Sequence, residues 1–393
     1  MSKHLRLALL QLEQYDTKRF LANKNMDDES LVKRISWTAR LRLTSYLSTL
    51  LGIVGANMLI GTVVHVIEGM IWHRAKKQIA NLKKRGLKVV AIAGSYGKTS
   101  VKNYAYDLMR SKYEVVATPE SFNTVFGIAK CLEYEVSDKI EIFIVEVGAY
   151  HIGDIIHLLE MVQPDLGVLT GMARQHLERF GSWENIQLAK SEIAVFMKKV
   201  GGELVANGSD ETVVQNVEKL GVKLAWYRGK DRREINLNGA RAIALAMGVS
   251  EEEIMKVKIR EPKNRFEMTT ERYGMKVIDD SFSSNDRGFK DALTYLGQQK
   301  KYVRILVTPG LVELGNESNQ IHEELGRVIV GKVDLVILVG KNERTNSLEQ
   351  GMAGKVRLLH IDKTLDFIRA VHDLKLKKEP LVLLENDVTE NYD

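Results

Sequence analysis

The pattern of apolar and polar positions divides this chain of 393 residues into three parts. Residues 1–42 mix short apolar runs with basic residues, which is typical of an amphipathic helix. Residues 43–67 contain no Asp, Glu, Lys or Arg. From residue 88 onward, short apolar runs alternate with helical patterns. This alternation predicts an α/β fold with mostly parallel sheets that are covered by helices on both faces.

The uncharged stretch at residues 43–67 is long enough to cross a bilayer. As a helix it would measure about 37 Å at roughly 1.5 Å per residue, against a hydrocarbon core of about 30 Å. Basic residues flank it on both sides, nine before it and seven from Arg74 to Lys88, so they do not set an orientation. We expect a helical segment over residues 1–87 that crosses the membrane once, forms a short hairpin or lies in the interface. A buried helix of a soluble protein is the alternative.

The rest of the chain is long enough for two α/β domains. Polar residues near Pro262 indicate a linker, so we expect a central domain at residues 88–260 and a smaller domain at 261–393. Apolar runs predict strands at residues 89–93, 140–148, 166–169, 275–278, 302–307, 333–339 and 381–384. Helical periodicity predicts helices at residues 101–109, 154–161, 183–197 and 236–247.

A glycine-rich turn joins the first predicted strand of the central domain to its first helix. The turn, Gly94-Ser95-Tyr96-Gly97-Lys98-Thr99-Ser100, matches GxxGK[ST] but not the longer GxxxxGK[ST], because Ile92 stands where the first glycine belongs. Such a turn directs backbone N–H groups and a helix N-terminus at an anion. Lys98 then reaches the phosphates and Thr99 offers its hydroxyl to Mg²⁺. We therefore expect a nucleotide-binding loop, with a purely structural turn as the alternative.

Polar side chains that suit a metal site follow this loop in the chain. Glu146 ends a predicted strand, and ligands of open α/β sheets bind at the carboxyl ends of strands. A carboxylate there can hold the Mg²⁺ that bridges ATP phosphates. His176 and Lys190 come later, in a polar cluster with Glu178 and Glu192. A buried or surface-paired structural role is the alternative for each of them.

Composition narrows the classes of function. The single cysteine, Cys131, excludes an intramolecular disulfide framework and suits a reducing compartment. The net charge is +6, but residues 1–88 carry 16 Lys and Arg against six Asp and Glu, which leaves −4 for residues 89–393. The basic excess therefore belongs to the N-terminal segment. Since basic and aromatic residues do not interleave, we expect no nucleic-acid partner.

Several polar blocks follow the glycine-rich turn in a definite order. They are Asn123-Thr124, Val145-Glu146-Val147-Gly148-Ala149-Tyr150-His151, His176-Leu177-Glu178, Ala189-Lys190-Ser191-Glu192, Asn264-Arg265-Phe266-Glu267, Asp279-Asp280-Ser281-Phe282-Ser283-Ser284-Asn285 and Gly310-Leu311-Val312-Glu313-Leu314-Gly315. In this order the chain resembles the ATP-dependent Mur ligases, in particular the branch that adds D-alanyl-D-alanine. The resemblance covers about residues 88–390. It implies a central ATP-binding domain and a C-terminal Rossmann-like domain that closes over it.

The resemblance also implies roles for the residues that carry chemistry. Lys98 and Thr99 would hold the triphosphate of ATP and a first Mg²⁺, and Glu146 and His176 would be further metal ligands. Lys190 matches the family lysine that is carbamylated, which turns a cation into an anion that can bind a second Mg²⁺. Carbamylation needs a partly neutral amine, so we expect the Lys190 site to be buried or cationic. We expect Lys98, Lys190, His176 and Glu146 to form the catalytic group.

Further roles concern the nucleotide and the substrates. The resemblance implies that Asn236 contacts adenine, with Asn238 as a close rival. Arg265 would reach the γ-phosphate, and Asp280 the ribose. The remaining loop contacts to the nucleotide would come from Gly94, Ser95, Gly97 and Ser100. Substrate contacts are expected at Asn123, Thr124, Ser281 and Asn285. The chain departs from the family at Arg232, where the family has His, and at Gly171, where it has Asn.

The activity implied by the resemblance is an ATP-dependent amide ligation on the cytoplasmic side of the cell membrane. A carboxylate acceptor, muramyl-peptide-like or other, would form an acyl phosphate. An amino acid or the dipeptide D-alanyl-D-alanine would then displace phosphate. Two alternatives are kept, namely a related ligase that acts on a lipid-linked precursor or a folate glutamate tail, and a non-catalytic membrane scaffold that binds nucleotide.

Overall fold

The structure, a computed structural model, describes residues 6–7, 10–11, 15, 38–119, 122–260, 267–272, 274–282, 285–374 and 376–388. The chain divides into two compact units, the first ending at Arg74 and the second beginning at Ala75. Both sheets belong to the second unit.

Helix α1 (Ala39–Lys83) contains the uncharged stretch. Among the described residues it is the one helix that is long and apolar enough, by length and composition, to cross a membrane. Gly52 interrupts it with φ 68° and ψ 166°, which no helical residue adopts. Only 17% of its most apolar stretch is buried, and Leu50 is 82% exposed. The core helix of a soluble protein is typically mostly buried, so this stretch is more exposed than such a helix.

The first sheet has six parallel strands in the order β2-β3-β1-β4-β5-β6. Its strands are β1 (Lys88–Ala93), β2 (Val115–Ala117), β3 (Ile142–Glu146), β4 (Leu166–Leu169), β5 (Glu203–Asn207) and β6 (Lys223–Tyr227). The helices that follow the strands are α2 (Lys98–Met109), α3 (Val125–Glu135), α4 (Asp154–Val162), α5 (Leu177–Phe180), α6 (Trp183–Val200), α7 (Glu211–Val217), α8 (Arg232–Ala246) and α9 (Glu251–Met255). A 3₁₀ turn, Glu218–Leu220, follows α7. The carboxyl ends of β1, β3 and β4 therefore meet at one edge of the sheet.

The core beside this edge is built from β1, β3 and two helices. Val90 and Ile92 of β1 and Ile144 of β3 are fully buried, and they belong to one cluster with Val101 of α2 and Ile243 of α8. Burying side chains of this size contributes about 1.5–3 kcal/mol each to stability. The cluster fixes α2 against the sheet, and with it the loop that precedes α2.

The second sheet has the order β11-β10-β9-β12-β8-β7, and of these described strands β7 runs antiparallel to β8 while the other pairs are parallel. Its strands are β7 (Glu267–Arg272), β8 (Met275–Phe282), β9 (Val303–Thr308), β10 (Leu335–Val339), β11 (Arg357–Ile361) and β12 (Pro380–Val388). Its helices are α10 (Asp286–Gln298), α11 (Ser318–Ile329), α12 (Glu343–Met352) and α13 (Asp366–Asp373), with a 3₁₀ turn at Gly315–Glu317. The two mostly parallel sheets confirm the predicted α/β class.

Candidate nucleotide and metal site

The glycine-rich turn leaves the buried strand β1 and enters α2 at Lys98. Gly97 has φ 82°, a left-handed conformation, and no side chain caps the helix there. The first-turn N–H groups of α2 therefore lack a side-chain acceptor, which is the arrangement that binds phosphate. Gly94 approaches β4 closely, because a Cβ atom there would lie 2.2 Å from Thr170 Oγ1. The turn has the shape of a phosphate-binding loop.

Lys98 and Asn236 lie at this loop. Lys98 Nζ donates to the carbonyl of Gly94 at 2.7 Å, so the lysine side chain folds back over the phosphate loop. Asn236 is buried on α8, and its Oδ1 would lie 2.9 Å from a Cβ atom at Gly97. Asn238 instead donates to the carbonyl of Arg228 at 2.7 Å. Of the two candidate asparagines, Asn236 is therefore the one that lies against the loop.

The loop is braced by a tyrosine. Tyr96 donates its hydroxyl to the buried Asp210 at 2.6 Å. Burial and the nearby Asp210 charge raise the pKa of Tyr96 far above its usual value, so it stays a donor. A Cβ atom at Gly171 would lie 2.2 Å from the Tyr96 ring. A side chain at position 171 would have to displace the Tyr96 ring, which gives the departure from the family asparagine a steric reason.

Thr99, Ser100 and Ser95 surround the start of α2. All three are buried. Within the described part of the chain, the Ser95 hydroxyl is buried without a hydrogen-bond partner. A buried polar atom of this kind has a cost unless a ligand satisfies it, so Ser95 fits the expected nucleotide contact.

Glu146 lies at the carboxyl end of β3 and is paired with a lysine. Lys102 of α2 reaches Glu146 Oε1 at 2.8 Å and the carbonyl of Thr118 at 2.6 Å, and both charged side chains are buried. Thr118 in turn accepts the N–H of Glu146 at 3.1 Å through its hydroxyl. The carboxylate is therefore fixed beside the phosphate loop, since Ile92 of β1 is its register partner.

Lys190 lies on α6 and is buried. Its Nζ is 3.4 Å from the carbonyl of Ala149 and 5.3 Å from the centre of the Phe180 ring. Burial, followed by the positive charge of Lys98, lowers the pKa of Lys190 to about 7. A substantial fraction of the amine is thus neutral at pH 7, as the expected carbamylation requires.

His176 stands at the start of α5 with φ 55° and contacts the second sheet's loops. Its Nδ1 is hydrogen-bonded to Glu313, and the Tyr150 ring packs edge-on against it with centroids 5.1 Å apart. Burial lowers the pKa of His176, which favours the neutral ring. Burial would raise the pKa of Glu313, but its bonds to His176 and Arg179 outweigh burial and hold the pKa at about 2. A neutral His176 thus donates to an ionised Glu313.

The remaining predicted residues are described by their local partners, which are ion pairs, hydrogen bonds and helix caps. Asp280 of β8 forms a two-bond ion pair with Arg232 of α8, one bond of 3.2 Å. Thr124 caps α3 and Asn285 caps α10. Ser281 donates its hydroxyl to Asp279.

Asn123 and Arg265 are the last two of the predicted site residues. Asn123 lies beside the segment after Glu146, because its carbonyl accepts the N–H of Gly148 at 3.0 Å. Arg265 lies outside the described residues.

The side chains near the loop can be compared with the ligands that Mg²⁺ prefers. No group of three or more His, Cys, Asp or Glu side chains able to hold a metal ion exists among the residues that the structure describes. Mg²⁺ keeps several waters and is usually held by one or two carboxylates plus substrate phosphates, so it does not need such a group. The Thr99 hydroxyl and the fixed carboxylate of Glu146 suit that chemistry.

The fold and the loop define a class, an α/β protein that binds a nucleotide through a phosphate loop at the carboxyl edge of a parallel sheet. The chain belongs to the Mur ligase family. Residues 92–278 match the Mur ligase middle domain. Residues 264–385 match the Mur ligase glutamate ligase domain.

Relatives and solved structures agree with this assignment. The chain is 26% identical over 318 residues, 69% of its length, to a UDP-N-acetylmuramoyl-tripeptide–D-alanyl-D-alanine ligase of Mycobacterium tuberculosis. It is 26% identical over 298 residues, 67% of its length, to the Bacillus subtilis ligase of the same name. The matches span 62% and 65% of the lengths of these two relatives.

Two solved structures share the fold. A crystal structure of MurF from Acinetobacter baumannii has a TM-score of 0.73 and 22% identity, covering 81% of this chain and 77% of that one. MurF from Thermotoga maritima in complex with ADP has a TM-score of 0.69 and 22% identity, covering 81% and 80%. The predicted resemblance to Mur ligases is thus confirmed for the fold and the family.

Sequence reasoning did not assign roles to three residues of this site. Lys102 follows Lys98 by four positions, a spacing that puts both on one face of α2 and could have indicated a shared site. Glu313 belongs to a block that supports the resemblance, yet nothing local marks it as a partner of His176. No sequence signal joins Asp210 to Tyr96, which is 114 positions away.

Proposed function

We propose that this protein is an ATP-dependent amide ligase that joins D-alanyl-D-alanine to a muramyl-tripeptide acceptor in the synthesis of peptidoglycan precursors. Family membership supports the ligase class, and the names of the two relatives support this acceptor and this dipeptide. ATP as the cofactor is supported by the phosphate loop and by the ADP complex of the Thermotoga maritima structure.

The observation that carries the proposal is the environment of Lys190. This lysine is buried, and its pKa is lowered to about 7 by burial and by the charge of Lys98. A scaffold that only binds nucleotide does not need such a lysine. The neutral amine of such a lysine can add CO₂ and release a proton, which gives an anionic carbamate. Perturbed pKa values of this size concentrate at functional sites. The non-catalytic alternative does not account for it.

The proposed reaction has two steps. A carboxylate oxygen of the acceptor attacks the γ-phosphorus of ATP, the bond to the β–γ bridging oxygen breaks, and ADP leaves. The amine of the dipeptide then attacks the acyl carbon, phosphate departs, and the amine loses a proton, which leaves an amide. Lys98 and the first-turn N–H groups of α2 would neutralise charge on the phosphates during transfer.

Bound Mg²⁺ would supply further neutralisation of the phosphate charge. Thr99 and Glu146 would hold one ion, and His176 with carbamylated Lys190 a second. Asn236 would contact adenine and Asp280 the ribose, with Arg265 at the γ-phosphate. Asn123, Thr124, Ser281 and Asn285 are proposed as substrate contacts.

The N-terminal helix adds a location to this proposal. Its exposed apolar surface, with basic residues on both sides, suits a membrane with anionic lipids. We place the protein at the cytoplasmic side of the cell membrane, where ATP is available. A lipid-linked precursor is then a second candidate acceptor, because the helix would hold the site near the bilayer.

The test is a ligation assay with the purified full-length protein in detergent. With ATP, Mg²⁺, UDP-N-acetylmuramoyl-tripeptide and D-alanyl-D-alanine, we expect phosphate release only when both acceptor and dipeptide are present. The product should have the summed mass of acceptor and dipeptide minus one water. ATP turnover that neither substrate changes would contradict the ligase proposal. Ligation of the dipeptide to a lipid-linked acceptor alone would move the proposal to that substrate.

A further inference from the structure

The segment after β9 brings a carboxylate from the second sheet to a predicted metal ligand of the first. Glu313 lies in a loop between β9 and α11, with φ 57°. Its side chain is 6% exposed, and its carbonyl accepts the N–H of Glu178 at 3.0 Å. A Cβ atom at Gly315 would lie 3.3 Å from the Glu178 Cα, so the two backbones touch. Side chain and backbone of this loop are both engaged with α5.

Both oxygens of Glu313 have partners on α5 or just before it. Oε2 is bonded to His176 Nδ1. Oε1 accepts from Arg179 at 2.9 Å and 2.6 Å. The Arg179 guanidinium also stacks over the Tyr150 ring at 4.4 Å, and the same ring packs edge-on against His176. The carboxylate is therefore held in one orientation and accepts the Nδ1 proton of His176.

This bond decides which nitrogen of His176 is available. An imidazole that donates through Nδ1 presents its Nε2 lone pair on the opposite side of the ring. Histidine ligands of metal ions almost always donate their other nitrogen to a carboxylate, carbonyl or water, and losing that partner typically weakens metal affinity 10- to 100-fold. The Glu313–His176–Arg179 arrangement has that form.

We infer that Glu313 is a positioning residue that orients His176 for the second Mg²⁺, so that this metal site is complete only when the second sheet's loop is docked on α5. The inference rests on the proposed function, in which His176 is a metal ligand. It adds that the domain bearing Glu313 controls metal occupancy in the other domain. Metal binding and docking of the C-terminal domain are then coupled by linkage.

The experiment counts metal ions and observes the imidazole directly. Mn²⁺ binding in the presence of ADP, followed by electron paramagnetic resonance, should give two sites in the full-length protein. Glu313→Ala should lose the second site or weaken it at least tenfold while keeping the first. The matched control is Glu317→Ala, which removes an acid from the same loop that is 42% exposed and 3.8 Å from Arg174. The control should keep both sites.

A second measurement uses the protein without metal. Long-range ¹H–¹⁵N spectra should show the Nδ1–H tautomer of His176 in the wild type and its loss in Glu313→Ala. Glu313→Gln keeps an oxygen acceptor, so it should retain the tautomer and bind the second ion with intermediate affinity. If Glu313→Ala does not fold, the His176 tautomer and the metal affinity of Glu313→Gln test the positioning role of Glu313.

The outcomes separate the two proposals. A wild-type protein that binds fewer than two Mn²⁺ ions contradicts the proposed metal chemistry itself. Two sites of equal affinity in the wild type, Glu313→Ala and Glu313→Gln would overturn the positioning role and leave the ligase proposal standing. An unchanged His176 tautomer in Glu313→Ala would also overturn the positioning role of Glu313.

Discussion

Lys190 is the residue on which the proposed chemistry depends most. Its buried amine, held near neutrality by burial and by Lys98, would become a carbamate that serves as a metal ligand. Lys190→Ala removes the carbamate, so we expect ligation to fall at least 100-fold, or about 3 kcal/mol of transition-state stabilisation. Formate or acetate that fills the cavity should restore part of the rate. The measurement is the ligation rate with and without added carboxylate.

The control for this prediction is Lys199→Ala on the same helix. Lys199 is exposed near the end of α6, so its loss should leave the ligation rate unchanged. A fully active Lys190→Ala protein would remove the carbamate from the mechanism. If acetate raised the rates of both variants by the same factor, the effect of acetate would not be specific to the cavity left by Lys190.

At the residue scale, the sequence predicts site residues that belong to a motif. It does not predict the residues from other parts of the chain that contact them. Lys98 and Glu146 follow from the strand and loop pattern, and the structure places them at the same sheet edge. Glu313 could not be assigned from the sequence, because it acts through a contact with a residue 137 positions away in the chain. The spacing of Lys102 from Lys98 indicates a shared site, but it does not identify Glu146, 44 positions away, as the partner of Lys102. Such contacts are set by packing and leave no periodic trace.

Helix α2 shows how one element links the phosphate loop to the proposed metal ligand Glu146. Lys102 lies one turn after Lys98 and is fully buried against Glu146. Breaking a buried ion pair from one side leaves an uncompensated charge, which costs about 3–5 kcal/mol. We therefore expect Lys102→Met to destabilise the protein by about that amount, as measured by urea unfolding.

A double-mutant cycle separates this pair from general packing. Removing the charge of the partner as well, in Lys102→Met with Glu146→Gln, should recover at least about 1 kcal/mol relative to the sum of the single changes. The control is Lys112→Met, at an exposed position three residues after the end of α2. It should change stability by less than about 0.5 kcal/mol. Strictly additive effects in the cycle would mean that the pair is not coupled.

At the element scale, buried strands were predicted better than edge strands. Strands β1, β4, β9 and β10 are apolar runs flanked by turn residues, which is the signal of a strand covered on both faces. That pattern is missing from β2, which has only three residues, and from the edge strand β6, whose first four positions are exposed or half-buried. Their pairing is imposed by neighbouring strands.

In the second compact unit, ion pairs join residues around the first sheet to residues around the second. Arg174, which precedes α5, bonds to Asp286 of α10 at 3.0 Å and to Glu324 of α11 at 3.3 Å. Arg232 and Asp280 form another such pair. Because Asp280 is also the proposed ribose contact, nucleotide binding and Arg232 compete for the same carboxylate. These pairs could not be read from the sequence, since ion pairs carry no local pattern.

At the scale of the whole molecule, the exposed apolar surface of α1 predicts where the protein resides. Leu50, Met58 and Val66 are among its exposed large apolar side chains. A glutamate on the bilayer side of a helix costs several kcal/mol, so replacing all three with Glu should move the protein from sedimenting vesicles of phosphatidylglycerol and phosphatidylcholine to the supernatant. The wild type should sediment with the vesicles.

The control for the membrane prediction changes net charge by the same amount without touching α1. Lys199→Gln, Lys219→Gln and Lys363→Gln together also lower the charge by three, and all three lysines are exposed in the second unit. This protein should sediment as the wild type does, because its apolar surface is intact. If the glutamate variant stays with the vesicles to the same extent as the wild type, α1 does not attach the protein to the membrane. If both variants leave the vesicles, charge rather than apolar burial governs binding, since only one of them has lost apolar surface.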